Sequence, residues 1–600
     1  MGKFPRQFGE HLHRWAEKTP DRVLFAERGP NGEWINLTYG DALQRANRVS
    51  QALLDRGHDQ SRPVACLSDK SLDMAVLKLA AMQIGIPFLP ISSSYSLASS
   101  DFARLKYVMA ELRPSLIYVS NVRQFAPALK ALPSLEGVDL IASEPGDEFP
   151  DATSFQRLLS VAVTPQVRHH FEKVGPDSIA KLLLTSGSTG MPKAVINTHG
   201  TICANGMAVD TLWPFLADQP HVVLDWLPWN HTFGSNTTFN QTLRHGGTLY
   251  MDEGKPVPGK FETTVRNMRD VRPTIIYNVP RGLDMLVPIL ESDSEFGRAI
   301  FDRLKMIFYS GAALPSHLWH RIDAISIKYR GMPMPIFSSL GSTETGPVAT
   351  LVHWASREPA GVGLPIPGTT LKLVPVGGKL EMRVKGVSIS PGYFRRPDLT
   401  EQAFDEEGYF KLGDAVRFVD PERPEAGLAF DGRISENFKL TSGVWVQAGE
   451  IRVEAINSGV PFIQDVVVAG HDRDEIGVLV FLNLDGCRQA CGNPSASLAD
   501  LAEMPIIRNG IRQALQKYNQ NTSGSSRHIA RAILLGDAPS IDANEITDKG
   551  YLNQRIVLER RADEVRRLFD ANAPDTIVID DQLRPAPARA ESRTHISATD

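Results

Sequence analysis

Leu184-Thr185-Ser186-Gly187-Ser188-Thr189-Gly190-Met191-Pro192-Lys193 is the stretch on which the reading of this chain turns. Its ten positions hold two glycines, four hydroxyl residues and one lysine, and Leu182-Leu183-Leu184 leads into it as the end of a buried strand. A loop of this kind exposes backbone N–H groups and hydroxyl donors, and a nearby ammonium completes a cradle for phosphate. It is not a Walker A loop, because Pro192 precedes the lysine and Ala194 follows it. Taken alone, a Gly/Ser/Thr loop reads equally well as a polar turn between a strand and a helix. The surrounding chain has to decide.

A length of 600 residues exceeds what one core supports, so two or more domains are expected. The balance of 64 Lys and Arg against 69 Asp and Glu gives a net charge of −5, with no basic concentration that would point to nucleic acid. Four cysteines argue against a disulfide framework and fit a reducing compartment. Cys487 and Cys491 lack the second pair or histidine that would complete a zinc set, so they read as ordinary thiols. Met1 to Trp15 lacks an apolar signal core, and no apolar run approaches the roughly 20 residues that span a bilayer. The expectation is a cytoplasmic enzyme with no nucleic-acid or membrane partner. Oligomeric state is not legible.

Strand-like and helix-like segments alternate along most of the chain. Phe8 to Arg56 reads as helical at both ends with an extended piece at Glu33–Thr38, and Asp41 reads as the cap of the second helix. Val64–Leu67 reads as a strand, Leu72–Ile84 as a helix, and Pro87–Ile91 and Leu116–Val119 as strands. Val222–Leu224, Thr274–Tyr277 and Met306–Tyr309 continue the pattern, which implies βαβ units. After Gly432-Arg433 the pieces shorten, with strands expected at Val444–Val446, Asp465–Val468, Ile476–Leu484 and Ala530–Leu535 and a helix at Ile506–Tyr518. The fold class expected is α/β: a large N-terminal domain (1–432) of βαβ-type sheets packed with helices, plus a small mobile C-terminal α+β domain (437–584). Residues 433–436 would form the hinge, and the Ala-, Arg- and Ser-rich tail 585–600 reads as disordered.

Further strings carry chemistry. Phe337-Ser338-Ser339-Leu340-Gly341-Ser342-Thr343-Glu344-Thr345-Gly346 is a second polar, glycine-bearing loop, and a carboxylate near triphosphate suits Mg²⁺, a hard cation that takes oxygen ligands. Its bland alternative is a solvated turn with an incidental acid. Tyr409-Phe410-Lys411-Leu412-Gly413-Asp414, Asp431-Gly432-Arg433, Leu227-Pro228-Trp229-Asn230-His231-Thr232-Phe233-Gly234, Tyr309-Ser310-Gly311-Ala312-Ala313-Leu314-Pro315 and Glu545-Ile546-Thr547-Asp548-Lys549-Gly550 complete the set. Singly, Asp-Gly is foremost a turn, a lone loop lysine is solvated, and a histidine beside Trp and Phe is a satisfied core residue.

In this order and spacing the strings resemble the adenylate-forming superfamily of acyl-CoA synthetases, luciferases and peptide-synthetase adenylation domains, over about residues 8 to 570. The resemblance implies that Thr185, Ser186, Gly187, Ser188, Thr189, Gly190 and Lys193 cradle the ATP phosphates. It implies that Thr343 meets the adenylate phosphate, Glu344 carries Mg²⁺, and Asp414 and Arg433 hold the ribose. Gly311, Ala312, Ser338, Ser339 and Leu340 fall at the nucleotide, Leu340 standing where the family usually has an aromatic ring. His231, Phe233, Asn236, Tyr277, Ser310 and Gly341 fall at the acyl pocket. Glu436 occupies the hinge position, Lys439 and Gly443 follow a Lys-x-x-Gly pattern with one extra residue, and Lys549 matches the late catalytic lysine. Leu412 and Ser435 depart from the common threonine and lysine.

The implied activity is acid-thiol ligation. A carboxylate attacks the α-phosphate of ATP, pyrophosphate leaves, and the acyl-AMP passes to coenzyme A after the small domain pivots. Phe438-Lys439-Leu440-Thr441-Ser442-Gly443-Val444-Trp445-Val446, Pro87–Leu97 and Asn553-Gln554-Arg555 look like feruloyl-CoA synthases, implying a small aromatic carboxylic acid of the hydroxycinnamate type and a place in aromatic-acid breakdown. Three alternatives remain open at this level: another aryl or fatty acid, transfer to a carrier protein, and an inactive nucleotide-binding homologue.

Overall fold

The computed structural model describes residues 2–580 except 187–190, 258, 357, 358, 360, 523, 525, 541 and 547–551. Gly187, Ser188, Thr189, Gly190, Lys549 and the tail 585–600 therefore lie outside the described residues. The chain folds as two compact units, Met1–Asp431 and Gly432–Asp600. The architecture is mixed α/β, with the larger, sheet-rich unit first.

Two large sheets organise the first unit. One runs in the order Thr153–Ser154, Asp139–Glu144, Leu116–Asn121, Val64–Cys66, Phe88–Pro90, Ile179–Ser186, Pro192–Thr198. The other runs Leu364–Pro365, Thr350–Leu351, Ile336–Leu340, Met306–Tyr309, Ile275–Asn278, Val222–Asp225, Thr248–Met251, Val23–Arg28, Trp34–Thr38. In both, the central strands are parallel and read as continuous apolar runs, as strands buried on both faces do. Helix Leu72–Gln83 touches strands of both sheets, and all its residues but Asp73 are buried. Its sequence, LDMAVLKLAAMQ, is apolar on every side, which is what a helix enclosed between two layers requires. A third sheet, Thr369–Val376, Lys379–Gly386, Phe410–Phe418 and Leu428–Arg433, is antiparallel where its pairing is described.

The second unit is a four-stranded sheet, Ile463–Ala469, Ile476–Leu482, Ile529–Leu535 and Thr576–Val578, preceded by the hairpin Phe438–Lys439 and Trp445–Val446. Helices Ala448–Ser458 and Pro505–Gln520 pack together beside it, around Ile451, Ile507, Ile511 and Leu515. Among the described residues no helix is long and apolar enough to cross a membrane.

Two details correct the sequence reading. Between the two helices the extended part is larger than Glu33–Thr38: Val23–Arg28 is also a strand, pairing in parallel with the distant Thr248–Met251. Thr38, not Asp41, caps helix Tyr39–Asp55: the Thr38 hydroxyl accepts from the Asp41 backbone N–H, and Asp41 sits in the first turn, where a negative charge favours the helix dipole.

Candidate functional site

Strands Ile179–Ser186 and Pro192–Thr198, which lead into and out of the phosphate-loop string, pair antiparallel as a hairpin with Thr185 opposite Lys193. The far edge of that hairpin receives Gly392–Phe394: the Ile196 N–H donates to Gly392 O at 3.0 Å and the Phe394 N–H to Ala194 O at 2.8 Å. Gly392 has φ +138°, and a Cβ there would lie 2.3 Å from Thr400 Cγ2, so only glycine delivers Tyr393 to this edge. The Lys193 ammonium stands 5.1 Å from the Tyr393 ring centroid. Partial burial lowers the Lys193 pKa, and the neighbouring Glu344 charge opposes that shift.

Tyr393 in turn donates its hydroxyl to Glu344 Oε1 at 2.9 Å. Burial first, then the adjacent carboxylate, pushes the phenol pKa well up, so tyrosine remains the proton donor in this pair. Glu344 occupies a short turn, Thr343–Thr345, that follows strand Ile336–Leu340. Ser342 caps the turn, its hydroxyl accepting from the Glu344 N–H at 3.2 Å, while the Ser342 N–H donates to Thr345 Oγ1 at 2.9 Å. The Asn205 amide nitrogen donates to Thr345 O and Val348 O at 3.1 and 2.8 Å. At Gly341 a Cβ would fall 2.0 Å from Pro347 O. The fold thus brings Thr185, Lys193, Thr343 and Glu344 into one neighbourhood through Tyr393, a residue the sequence reading missed. Its signal was the Pro391-Gly392-Tyr393 turn.

The parallel strands Val222–Asp225, Ile275–Asn278, Met306–Tyr309 and Ile336–Leu340 end on the side where Tyr277, Ser310, Gly311, Ala312 and Leu340 lie. In open α/β sheets ligands bind outside such carboxyl ends. Gly311 adopts φ +92°, and Ser310 donates from its N–H to Asn278 O at 3.3 Å. The Ser338 hydroxyl donates to Gly361 O at 2.7 Å, and Ser339 pairs with Leu351 in the adjoining strand.

The π-helical turn Phe233–Phe239 follows His231, whose carbonyl accepts from the Ser235 N–H at 2.8 Å. Phe233 lies edge-on to Phe308 and Tyr277, with centroids 5.7 and 6.4 Å away. The Asn236 amide already donates to Asn197 Oδ1 at 2.9 Å and Thr232 Oγ1 at 3.0 Å. Tyr277 is 2% exposed, and its hydroxyl has no partner among the described residues. Behind this segment lies a cavity walled by Ile202, Val209, Trp213, Phe308 and Val348, with Gln241 on its border.

Asp414 is buried on strand Phe410–Phe418, and Arg433 ends strand Leu428–Arg433. In the second unit Glu436 closes the turn Ile434–Glu436. Exposed Lys439 lies across from Trp445, its ammonium 5.0 Å from the indole centroid. Gly443, at φ +79°, closes that hairpin and accommodates the extra residue of the Lys439–Gly443 stretch. Cys487 and Cys491 are free thiols, and among the described residues no group of three His, Cys, Asp or Glu side chains is arranged to hold a metal. Glu344 therefore offers a single carboxylate, which suits Mg²⁺: that ion keeps waters and takes one or two protein carboxylates alongside phosphate oxygens.

The two-unit α/β architecture, with the paired strands Ile179–Ser186 and Pro192–Thr198 beside the buried Glu344, is that of an adenylate-forming enzyme. The chain belongs to the AMP-binding enzyme family, whose model matches residues 12–394, and the AMP-binding enzyme C-terminal domain matches residues 443–573. It is 23% identical over 628 residues to the long-chain-fatty-acid–CoA ligase FadD15 of Mycobacterium bovis, covering 94% of this chain and 98% of that one. Tyrocidine synthase 3 of Brevibacillus parabrevis is 24% identical over 560 residues, 86% of this chain, yet the match spans 8% of that long protein. Among solved structures, the A domain of carboxylic acid reductase from Segniliparus rugosus, in complex with AMP and a co-purified carboxylic acid, superposes with a TM-score of 0.71 at 18% identity over 94% of each chain.

Proposed function

We propose that the protein is an ATP-dependent acid:CoA ligase that forms an acyl-AMP and then an acyl-CoA thioester, with ferulate or related hydroxycinnamic acids as its substrates. The observation that carries the reading is the Lys193–Tyr393–Glu344 cluster at the base of the phosphate hairpin. A cation and a buried carboxylate held at one hairpin edge suit the binding of phosphates together with the cation that accompanies them. Bound Mg²⁺ would neutralise phosphate charge, with Glu344 its protein ligand. Lys193 and the hairpin hydroxyls, from Thr185 to Thr189, orient the β- and γ-phosphates. Thr343 meets the α-phosphate, and Asp414 and Arg433 hold the ribose. Lys549 bridges the acid carboxylate and the α-phosphate in adenylation. A pivot at Glu436 withdraws Lys549 and brings the Lys439 hairpin forward for thioester formation. The likeness to a fatty-acid–CoA ligase along the full length supports coenzyme A as acceptor, and the feruloyl-CoA synthase strings support the acid.

A second reading, transfer to a carrier protein, is favoured by the likeness to a tyrocidine synthase and to a carboxylic acid reductase A domain. One experiment separates the two: pyrophosphate release from ATP and Mg²⁺ across ferulate, coumarate, caffeate, benzoates and fatty acids, with and without coenzyme A. Cinnamate turnover that requires coenzyme A and yields a thioester supports the ligase. Adenylate that forms and never passes to coenzyme A supports the carrier route.

A further inference from the structure

The paired strands Ile179–Ser186 and Pro192–Thr198 grip the π-helical turn Phe233–Phe239 from one face. Lys181 stands opposite Asn197, with the pairs Leu182–Ile196, Leu183–Val195 and Leu184–Ala194 between them and the Thr185–Lys193 pair. Side chains alternate along a strand, so Lys181 and Asn197 share a face of the hairpin with Thr185 and Lys193. Lys181, fully buried, donates to Ser235 Oγ at 3.0 Å and to Ser235 O at 3.2 Å. Asn197, also buried, donates from Nδ2 to Val195 O at 3.1 Å, which leaves its Oδ1 as an acceptor. Asn236 Nδ2 donates to that oxygen at 2.9 Å. Two consecutive residues of the turn are thus held by partners that face each other across the hairpin.

Asn236 is buried, and its amide is spent inside the protein. Nδ2 also donates to Thr232 Oγ1 at 3.0 Å, and Oδ1 accepts from Asn240 Nδ2 at 3.4 Å. Both amide hydrogens are used, which suits positioning rather than contact with an acid. The element it holds is an unusual one. π turns are rare in proteins, and an uncommon backbone state persists where its surroundings fix it. One residue of slip rotates a helical side chain by about 100°. Relaxation of Phe233–Phe239 to the α register would swing Phe233 away from Phe308 and Tyr277, which it meets edge-on at 5.7 and 6.4 Å. Gly234 pins the start of the turn, since a Cβ there would lie 2.4 Å from Pro228 O. The Asn236–Asn197 bond pins its middle.

We infer that Asn236 is a positioning residue that, through Asn197, ties the aromatic turn to the phosphate hairpin, so that nucleotide at one end of the hairpin tightens binding of the acid beside Phe233. The route is short and continuous: Phe233, Asn236, the Asn197 amide, the Val195 carbonyl, and Lys193 two residues along the same strand. Such a link is reciprocal, so the acid tightens the nucleotide by the same factor. The inference rests on the proposed acid-activating function and names how the two ends of that site communicate.

The test measures the dissociation constants of ferulate and of decanoate, each with and without α,β-methylene-ATP, a non-hydrolysable analogue, and Mg²⁺. Wild-type protein is expected to bind at least one acid about 10-fold tighter when the analogue is bound, within the usual range for linked sites. Asn236→Ala and Asn197→Ala are each expected to bring that ratio near one. The double variant is expected to be no worse than either, as for two residues acting through one bond. Asn197→Ala keeps every residue of the turn and carries the test alone if Asn236→Ala does not fold. A wild-type ratio of one, a ratio undiminished in the single variants, or losses that multiply in the double variant overturn the inference and leave the proposed function standing. Wild-type protein that binds neither acid under any condition overturns the proposed function and this inference with it. A crystal structure of Asn197→Ala is expected to show the Phe233 ring moved off Phe308, and a ring left in place overturns the positioning role.

Discussion

The Glu344 loop and the buried surroundings of Phe308, proposed as the nucleotide and acyl sides of the large unit, are built on opposite principles. Around Glu344, short-range devices do the positioning: a serine cap, a threonine bridge and a glycine that nothing larger can replace, all within Gly341–Thr345. Around Gln241, each wall comes from a different part of the chain, with Trp213 after one helix, Phe308 on a strand and Val348 past the Glu344 loop. Phosphate demands the same donors whatever acid is activated, so a local motif suffices. An acid pocket is a volume between packed elements, and only the assembled fold defines it. The two sides should therefore fail differently when altered.

The sharpest break is expected at Glu344. Glu344→Gln keeps the shape of the turn but removes the charge, and adenylation should fall by about 100- to 1,000-fold with every acid alike, as when a group that stabilises transition-state charge is lost. Loss confined to some acids would erase the division between the two sides. Gly341→Ala should act next most strongly. Its Cβ, 2.0 Å from the Pro347 carbonyl oxygen, forces that backbone away, costing about 1–3 kcal/mol and disturbing Thr345 and Val348 together. Lower thermal stability with both nucleotide and acid affinity impaired is expected, because this loop borders both sides. Tyr393→Phe is milder. It removes the hydrogen bond to Glu344 but keeps the ring beside Lys193, so about a 10-fold loss in adenylation, with ATP affinity changed more than acid affinity, is expected from titrations of each substrate.

The same contrast governs what the sequence made legible. Strands such as Leu116–Asn121 and Met306–Tyr309, and the buried helix Leu72–Gln83, announce themselves through uninterrupted apolar runs. Val23–Arg28 does not: its run of VLFAER is short and mixed, and its partner, Thr248–Met251, lies more than two hundred residues away. The Asp41 misreading has a similar origin, since an acid in the first turn and a threonine cap three residues earlier give one composition and two geometries. Glycine and hydroxyl strings pointed to Lys193 and Glu344. Tyr393, brought to them by strand addition at a hairpin edge, had only the short Pro391-Gly392-Tyr393 turn as its signal.

A smaller effect probes the junction of the two sides. Lys181 and Lys78 are fully buried, and both ammonium nitrogens lie 3.0 Å from the Ser235 hydroxyl, in the π-helical turn that follows His231. Lys181 also donates to Ser235 O at 3.2 Å and Asn240 Oδ1 at 3.4 Å, so the oxygens it meets here are all neutral. Burial pushes its pKa from the ordinary 10.5 down to about 7, and burial first, then the charge of Lys181, lowers that of Lys78 well below its ordinary value. Between pH 7 and 10.5 the unfolded chain therefore holds a proton on Lys181 that the folded chain has released. With more protons bound in the unfolded state, stability rises with pH across that window, and the destabilising contribution is fully present below it. Lys181→Met removes this titration. The melting-temperature difference between variant and wild type should shift in favour of the wild type as pH climbs from about 7 to about 9. A difference that stays constant with pH would mean that the buried amine is not released in the folded protein. In that case Ser235, and with it the turn that carries Phe233 and Asn236, is held by a charged lysine rather than a neutral one.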